Sequence, residues 1–272
     1  MGVSPNFLLG EKEMDEKIIF LKIEKNIAIV EMFNEKKKNA LSYDLLFELK
    51  NTFQEIEGNS EIRTIILSGK GDSFCSGMDV EWLLREDSIS MRKAHLWIQE
   101  VFNYIGNFKK PIIAALNGIT LGAGLMLALI CDLRIASENV LLGVPEIKVG
   151  IPLFLGGPKI LQRYLGIGKI KELSFLGNLI DAHKGMEWGL INKVTNRKEL
   201  MEESMRVAHE MSLLSPIGLE MLKGSLNASY EMSEKTLLAY ELDSLGFYWG
   251  TEDRKEGLRS FLEKRKAHFK GI

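Results

Sequence analysis

The stretch from Thr120 to Ala136, TLGAGLMLALICDLRIA, decides the fold. It is glycine-rich, then nearly all apolar, then abruptly polar at Asp132. That order predicts a strand end, a tight turn at the glycines and a buried helix. Glycines lack a Cβ and let another group come close to the backbone, so this turn is a place where something docks. PIIAALNG (111–118), just before it, reads as a buried strand. DLRIASENVLLGVPE (132–146), just after it, gives two more short strands. Strands alternating with helices indicate an α/β protein with crossover connections.

Working outward, IIFLKIEKNIAIVEMF (18–33) reads as two strands around a turn at Lys25-Asn26, and NEKKKNA (34–40) as a loop. Ser42 is the N-cap of a helix with Leu45, Leu46, Leu49, Phe53 and Ile56 on one face, ending at Gly58. RTIILSG (63–69) is a buried strand, GKGDSFCSGMD (69–79) a glycine-studded loop, and Val80 starts a helical stretch. MRKAHLWIQEVFNYIGNF (91–108) is an amphipathic helix stopped by Pro111. From Pro158 the pattern is helical, and the last 70 or so residues carry no strand signal. The expected organisation is a flexible N-terminal segment (1–16), a core (17–200) and a helical region (201–272) that covers a site or joins subunits.

The chain has 272 residues, enough for one large domain with an appendage. It is 46% hydrophobic and 26% charged, ordinary for a folded protein. A formal net charge of −2 supplies no basic field for nucleic acid. The two cysteines, Cys75 and Cys131, lie in apolar contexts and make no disulfide framework, which fits a reducing compartment and a cytoplasmic location. The start, MGVSPNFLLGEKEMDEK, shows no targeting pattern, and the longest apolar run, Leu125 to Cys131, is too short for a bilayer. No membrane or nucleic-acid partner is expected.

Two loops share one form, a glycine-rich turn between a buried strand and a helix: Gly69 to Met78 and Asn117 to Gly124. Each would aim free backbone N–H groups at a common space, and two such donors on one oxygen make an oxyanion hole. Read singly, each is also a plain tight turn. Asp79 reads as a helix cap, and Asp132 as a structural hydrogen-bond acceptor or an ion-pair partner of Arg134. Glu146, between LLGV and IKVG, is expected to be partly desolvated, which raises its pKa and suits it to proton transfer. Of the histidines, His95, His183, His209 and His268, none has metal-ligand spacing, so no metal site is expected. His95 and His209 are expected to be exposed. No nucleotide-binding glycine fingerprint and no G-x-S-x-G elbow occurs.

SGKGDSFCSGMDV (68–80), KKPIIAALNGITLGAGLMLALICDLRIASENVLLGVPEIKVGI (109–151), GLINKV (189–194) and GLRSFLEKRKAHF (257–269) together resemble the crotonase superfamily of enoyl-CoA hydratases and isomerases. The resemblance runs from about Ile18 to Phe269. It implies a spiral of ββα repeats followed by a C-terminal helical trimerisation region, assembled as trimers or dimers of trimers. It implies acyl-CoA thioester substrates, with coenzyme A as part of the substrate and no permanently bound cofactor. The oxyanion-hole donors would be the backbone N–H groups of Met78 and Ala123, and Glu146 would be catalytic.

Two departures bear on the reaction. Hydratases of the family carry a second glutamate at the position of Met126, which cannot exchange a proton. The loop after Glu146, usually small and glycine-rich, is IPLFLGG here, with bulky Leu153, Phe154 and Leu155. One carboxylate over an enolate hole suffices for Δ3,Δ2-enoyl-CoA isomerisation, the favoured reaction. Hydration, decarboxylation and C–C cleavage use the same hole and stay open, as does a weakly active CoA-binding subunit. The resemblance also gives CoA contacts at Lys36, Lys38, Ala40, Ser76 and Asp79, with Phe261 and Lys264 reaching the CoA of a neighbouring subunit. Trp82, Met126, Leu153 and Phe154 would form the acyl pocket. The usual proline before Asn39-Ala40-Leu41 is replaced by Glu35.

Overall fold

The structure, a computed structural model, describes residues 17–272. The expected N-terminal segment, 1–16, lies outside the described residues. Strands β1 (Ile19–Glu24) and β2 (Ile27–Met32) form an antiparallel hairpin turning at Lys25, whose φ of 56° is left-handed. A single 3-10 turn over Glu35–Lys37 leads to α1 (Tyr43–Gly58). Ser42 caps that helix by accepting a 3.2 Å hydrogen bond from Leu45 N, and Leu45, Leu46, Leu49, Phe53 and Ile56 are buried as their spacing predicts.

Three successive units then build the body. The first holds β3 (Thr64–Gly69), β4 (Ser73–Cys75), α2 (Val80–Leu83) and α3 (Ser88–Gly106). The second holds β5 (Ile112–Leu116), β6 (Ile119–Leu121) and α4 (Ala123–Ile130). The third holds β7 (Leu133–Ser137), β8 (Leu141–Gly143), α5 (Gly157–Gln162) and α6 (Ile167–Leu176). The first strand of each unit joins a six-stranded sheet, in which β3, β5 and β7 are parallel neighbours. The second strand joins a four-stranded sheet, where β4, β6 and β8 are parallel neighbours. Each turn of chain thus adds one strand to both sheets and then a helical return, which is a ββα spiral. The chain continues through β9 (Ile180–Asp181), α7 (Ala182–Glu187), β10 (Lys193–Thr195), α8 (Leu200–Ser212), α9 (Pro216–Ala228), α10 (Glu234–Trp249) and α11 (Glu252–Leu262).

β3 and β5 are buried along their whole length, because both faces of the larger sheet are covered. Ile65, Leu67, Ile112 and Ala114 face the main core with α1, α3 and α4. Alternate residues Ile66, Ile113 and Ile135 face a second core completed by Leu200 and Ala208 of α8. Helix α8 therefore packs on the sheet. The helices after it keep many apolar side chains exposed, among them Leu222, Leu226, Leu238 and Phe247.

Three strands were not expected from sequence. β4 lies inside the stretch read as a loop, and β9 and β10 interrupt the stretch read as helical. Each has only two or three residues and is defined by partners far along the chain: β4 by β6, β9 by β8, β10 by β7. Of the two readings of Asp132, the structural acceptor holds and the Arg134 pair does not: Asp132 accepts from Ile112 N at 2.7 Å and from Lys223 Nζ on α9 at 2.8 Å. Arg134 instead donates to the carbonyls of Leu190 and Cys131 and to Asn192 Oδ1. Among the described residues no helix is long and apolar enough to cross a membrane.

Candidate active site

β4 and β6 are paired, with Cys75 opposite Thr120, so the turns that follow them sit side by side. After β4, Leu41 N donates to Gly77 O at 2.8 Å, and Asp79 N donates to Leu41 O at 3.0 Å. These two bonds fix the backbone on both sides of Met78. After β6, Gly122 N donates to Gly143 O at 2.9 Å, and Gly122 O accepts from Met126 N at 3.0 Å. Ala123 is then the first residue of α4, where an N–H has no intrahelical acceptor. Among the described residues, neither Met78 N nor Ala123 N donates a hydrogen bond. The two turns can lie this close because Gly124 has no side chain: a Cβ there would sit 2.4 Å from Cys75 O.

Glu146 comes from the 3-10 turn Pro145–Val149, directly after β8. Its carboxylate rests on Gly122, where a Cβ would lie 2.6 Å from Oε1. Gly122 also has φ 53° and ψ −126°, a conformation that L side chains rarely adopt. Oε2 is buried and, among the described residues, has no hydrogen-bond partner. Burial accordingly pushes the Glu146 carboxyl above its ordinary range.

A cavity of about 940 Å3 contains this arrangement. Met78, Ala123, Gly122 and Glu146 line it together with fully buried Met126, half-buried Leu153 and exposed Phe154. Among the described residues, Glu146 is the only carboxylate that lines it. Met126, one helical turn beyond Gly122, gives the wall a thioether. The chemistry available is therefore two unpaired N–H donors, one carboxylate of raised pKa and apolar walls. Among the described residues no group of His, Cys, Asp and Glu could hold a metal ion.

The other expected site residues are more scattered. Ser76 lines the cavity, and its N–H donates to Lys38 O at 3.0 Å while its Oγ donates to Lys37 O at 3.1 Å. The Lys36–Ala40 segment is thereby tied to the Met78 turn, with Lys36 and Lys38 exposed and Ala40 buried. Asp79 caps α2 by accepting from Glu81 N at 3.0 Å, and pairs with Lys37 Nζ at 2.7 Å. Burial acts to raise the Asp79 carboxyl, but the Lys37 ammonium outweighs it and holds the group below its usual range. Trp82 lies outside the cavity wall. It donates to Glu86 Oε1 at 2.6 Å and packs edge-on against Tyr43, which stacks on Trp97 at 4.6 Å. Phe261 and Lys264, in and just after α11, are exposed and also outside the cavity.

Three features were missed. His95, expected to be exposed, is half-buried, lines the cavity and meets the Phe154 ring edge-on at 5.9 Å. Lys37, and not its neighbours, carries the ion pairs to Asp79 and Glu81. Asn39 is fully buried, and its Nδ2 donates to Ser73 O at 2.7 Å and Lys70 O at 3.0 Å, fastening the loop to β4. The signal for Asn39 was present: a polar residue beside apolar Ala40-Leu41, suited to the left-handed φ of 57° found there.

Two neighbouring N–H groups without protein acceptors and a carboxylate of raised pKa thus share one cavity. The enoyl-CoA hydratase/isomerase family profile matches residues 22–272, and the chain belongs to that family. It is 35% identical to a short-chain-enoyl-CoA hydratase of Clostridium acetobutylicum, over 93% of this chain and 97% of that protein. It is 34% identical to a crotonyl-CoA hydratase of Syntrophomonas wolfei, over 92% of this chain and 97% of that protein. The crystal structure of an enoyl-CoA hydratase from Bacillus anthracis superposes with a TM-score of 0.89, at 32% identity, covering 94% of this chain and all of that one. The protein is thus an enzyme of the crotonase superfamily, a family that acts on CoA thioesters.

Proposed function

We propose that the enzyme isomerises Δ3-enoyl-CoA to Δ2-enoyl-CoA, with Glu146 as its single acid and base. The observation that carries this reading is that Glu146 is, among the described residues, the only carboxylate on a cavity that also holds Met78 and Ala123. The thioester oxygen accepts from the N–H groups of those two residues. The Glu146 carboxylate removes a proton from C2, and the electron pair moves through the C3–C4 double bond system as a dienolate held by the two donors. Glu146 then returns the same proton to C4, leaving the double bond at C2–C3 and the enzyme unchanged. Each donor is worth about 3 kcal/mol of transition-state stabilisation. The raised pKa brings the carboxyl nearer to the working pH, where it both accepts and returns a proton effectively.

Hydration is the second reading, favoured by the names of the relatives. It requires a water molecule to be held and activated. Fully buried Met126 offers no proton at the position where the hydratase pattern has its second glutamate, and Leu153 and Phe154 make that wall apolar. Lys36, Lys38, Ala40, Ser76 and Asp79 fit the proposed CoA edge of the site, because the first segment is bonded to the turn that carries Met78. The exposed apolar side chains of α9, α10 and α11 support assembly with further copies, and exposed Phe261 and Lys264 are then placed to reach a neighbour's CoA.

The test is a pair of assays on one sample: conversion of trans-3-enoyl-CoA to trans-2-enoyl-CoA, and hydration of crotonyl-CoA. Isomerisation should exceed hydration by orders of magnitude, and Glu146→Gln should lower it about a thousandfold. Fast hydration would overturn the assignment.

A further inference from the structure

The cavity carries more basic character than the proposed isomerisation uses. Arg92 and His95 on α3, and Lys148 on the turn after Glu146, all line it. Among the described residues the side chains of Arg92 and Lys148 make no hydrogen bond or ion pair, although acidic side chains are plentiful elsewhere on the surface. Ser88, Arg92 and His95 follow one another at helical spacing, so α3 turns a single polar stripe toward the cavity between Met91 and Leu96. Lys148 belongs to a different element and its stem lies along Gly177, away from this stripe, whereas His95 is set against Phe154. Among the described residues the only opposing charge on the wall is Glu146, which lies at the oxyanion end against Gly122.

We propose that the enzyme prefers acyl-CoA substrates whose acyl chain ends in a carboxylate, which Arg92 binds with help from His95. This rests on the reading of the cavity as an acyl-CoA site. With the thioester oxygen on Met78 and Ala123, the chain runs along Met126 and Leu153 toward the α3 wall. A guanidinium there matches a carboxylate with two parallel hydrogen bonds, a geometry that an ammonium cannot supply alone. Arg92 is exposed, so the end group stays partly hydrated and its transfer into the cavity costs little. A methyl end would leave the same cation facing apolar carbon.

Non-reacting ligands separate this from the chemistry. Calorimetry would compare saturated acyl-CoA thioesters of equal length, from six to about ten carbons, ending either in methyl or in carboxylate. At low salt the carboxylate-ended ligand should bind about tenfold more tightly at the best length, and the preference should shrink as salt rises. Arg92→Gln, at an exposed position, should abolish the preference and leave affinity for the methyl-ended ligand within about twofold, a contrast that a folding defect would not produce. Equal or tighter binding of the methyl-ended ligand by the unaltered enzyme overturns the proposal. Equal weakening of both ligands by Arg92→Gln overturns it too, and assigns Arg92 to a CoA phosphate. If neither ligand binds, the acyl-CoA reading of the cavity itself fails, whatever the isomerisation assay shows.

Discussion

Gly122→Ala probes the link between backbone and chemistry most directly. The new Cβ would lie 2.6 Å from Glu146 Oε1 and 3.0 Å from its Cδ, inside van der Waals contact. The obstructing atoms are the far end of a flexible side chain, so the clash is relieved by swinging the carboxylate away. Energetically that is cheap, and the main stability loss comes from φ 53°, ψ −126°, at about 1–3 kcal/mol. For catalysis by the proposed mechanism it is costly, because the displaced group is the proposed acid and base. A shift of most of an ångström in a reacting group lowers turnover about a hundredfold. Gly189→Ala is the control: φ there is +79° with nothing within 4 Å, so it carries backbone strain with no collision. Both variants should lose stability in urea titrations, while only Gly122→Ala should lose kcat in the trans-3-enoyl-CoA assay. A folded Gly122→Ala enzyme with full turnover, or equal kcat losses in both, would refute the placement of Glu146 as acid and base.

Glu146→Gln should also raise stability at neutral pH. The folded-state pKa is raised, so the cost of ionising Glu146 in the fold is absent below the ordinary carboxylate pKa, grows as pH climbs from there to the folded value, and is constant above it. The gain in Tm should therefore be seen at pH 8 and vanish at pH 4, and a pH-independent difference would contradict it. For the same reason kcat/KM should rise with pH along a limb centred above the usual glutamate range of about 4.3, as a pH–rate profile would show. Asp132→Ala should cost about 3–5 kcal/mol, because Lys223 is nearly buried and would lose its 2.8 Å partner; chemical denaturation measures this. Met126→Glu should destabilise the fold without creating a hydratase, since it adds a second buried carboxylate while Leu153 and Phe154 still keep that wall apolar.

Sequence reading succeeded where one local rule was enough. β3 and β5 are apolar runs with both faces covered, Ser42 is a cap with a bonded N–H, and Glu146 is an acid between apolar flanks at a strand end. It failed where the deciding partner is remote. β4 has three residues and exists because β6 lies beside it; periodicity over three residues carries no information. The ion-pair reading of Asp132 used the nearest cation in sequence, whereas its partner Lys223 is 91 residues away on another helix. His95 was placed among charged neighbours on α3. What the sequence could not show is that the 151–156 loop brings Phe154 over that face and encloses it.

Similarity across the whole chain establishes the family without choosing the reaction, because hydration and isomerisation share the same hole and diverge at a few atoms. The identities of 34–35% to named hydratases extend over more than nine-tenths of the chain. The difference lies in whether a second proton-bearing group faces Glu146 across the acyl carbons. In hydration the oxygen and the proton added come from water, so a water molecule must be oriented and deprotonated beside the alkene. In isomerisation nothing is added, and any water near the dienolate is a competitor. A buried thioether at Met126 offers that water no charged hydrogen-bond partner, and Glu146 is itself buried, with Oε2 unpartnered among the described residues and its pKa raised. On the proposed isomerase reading, Met126 and a buried Glu146 of raised pKa fit together: a proton is moved between two carbons and no water has to be held.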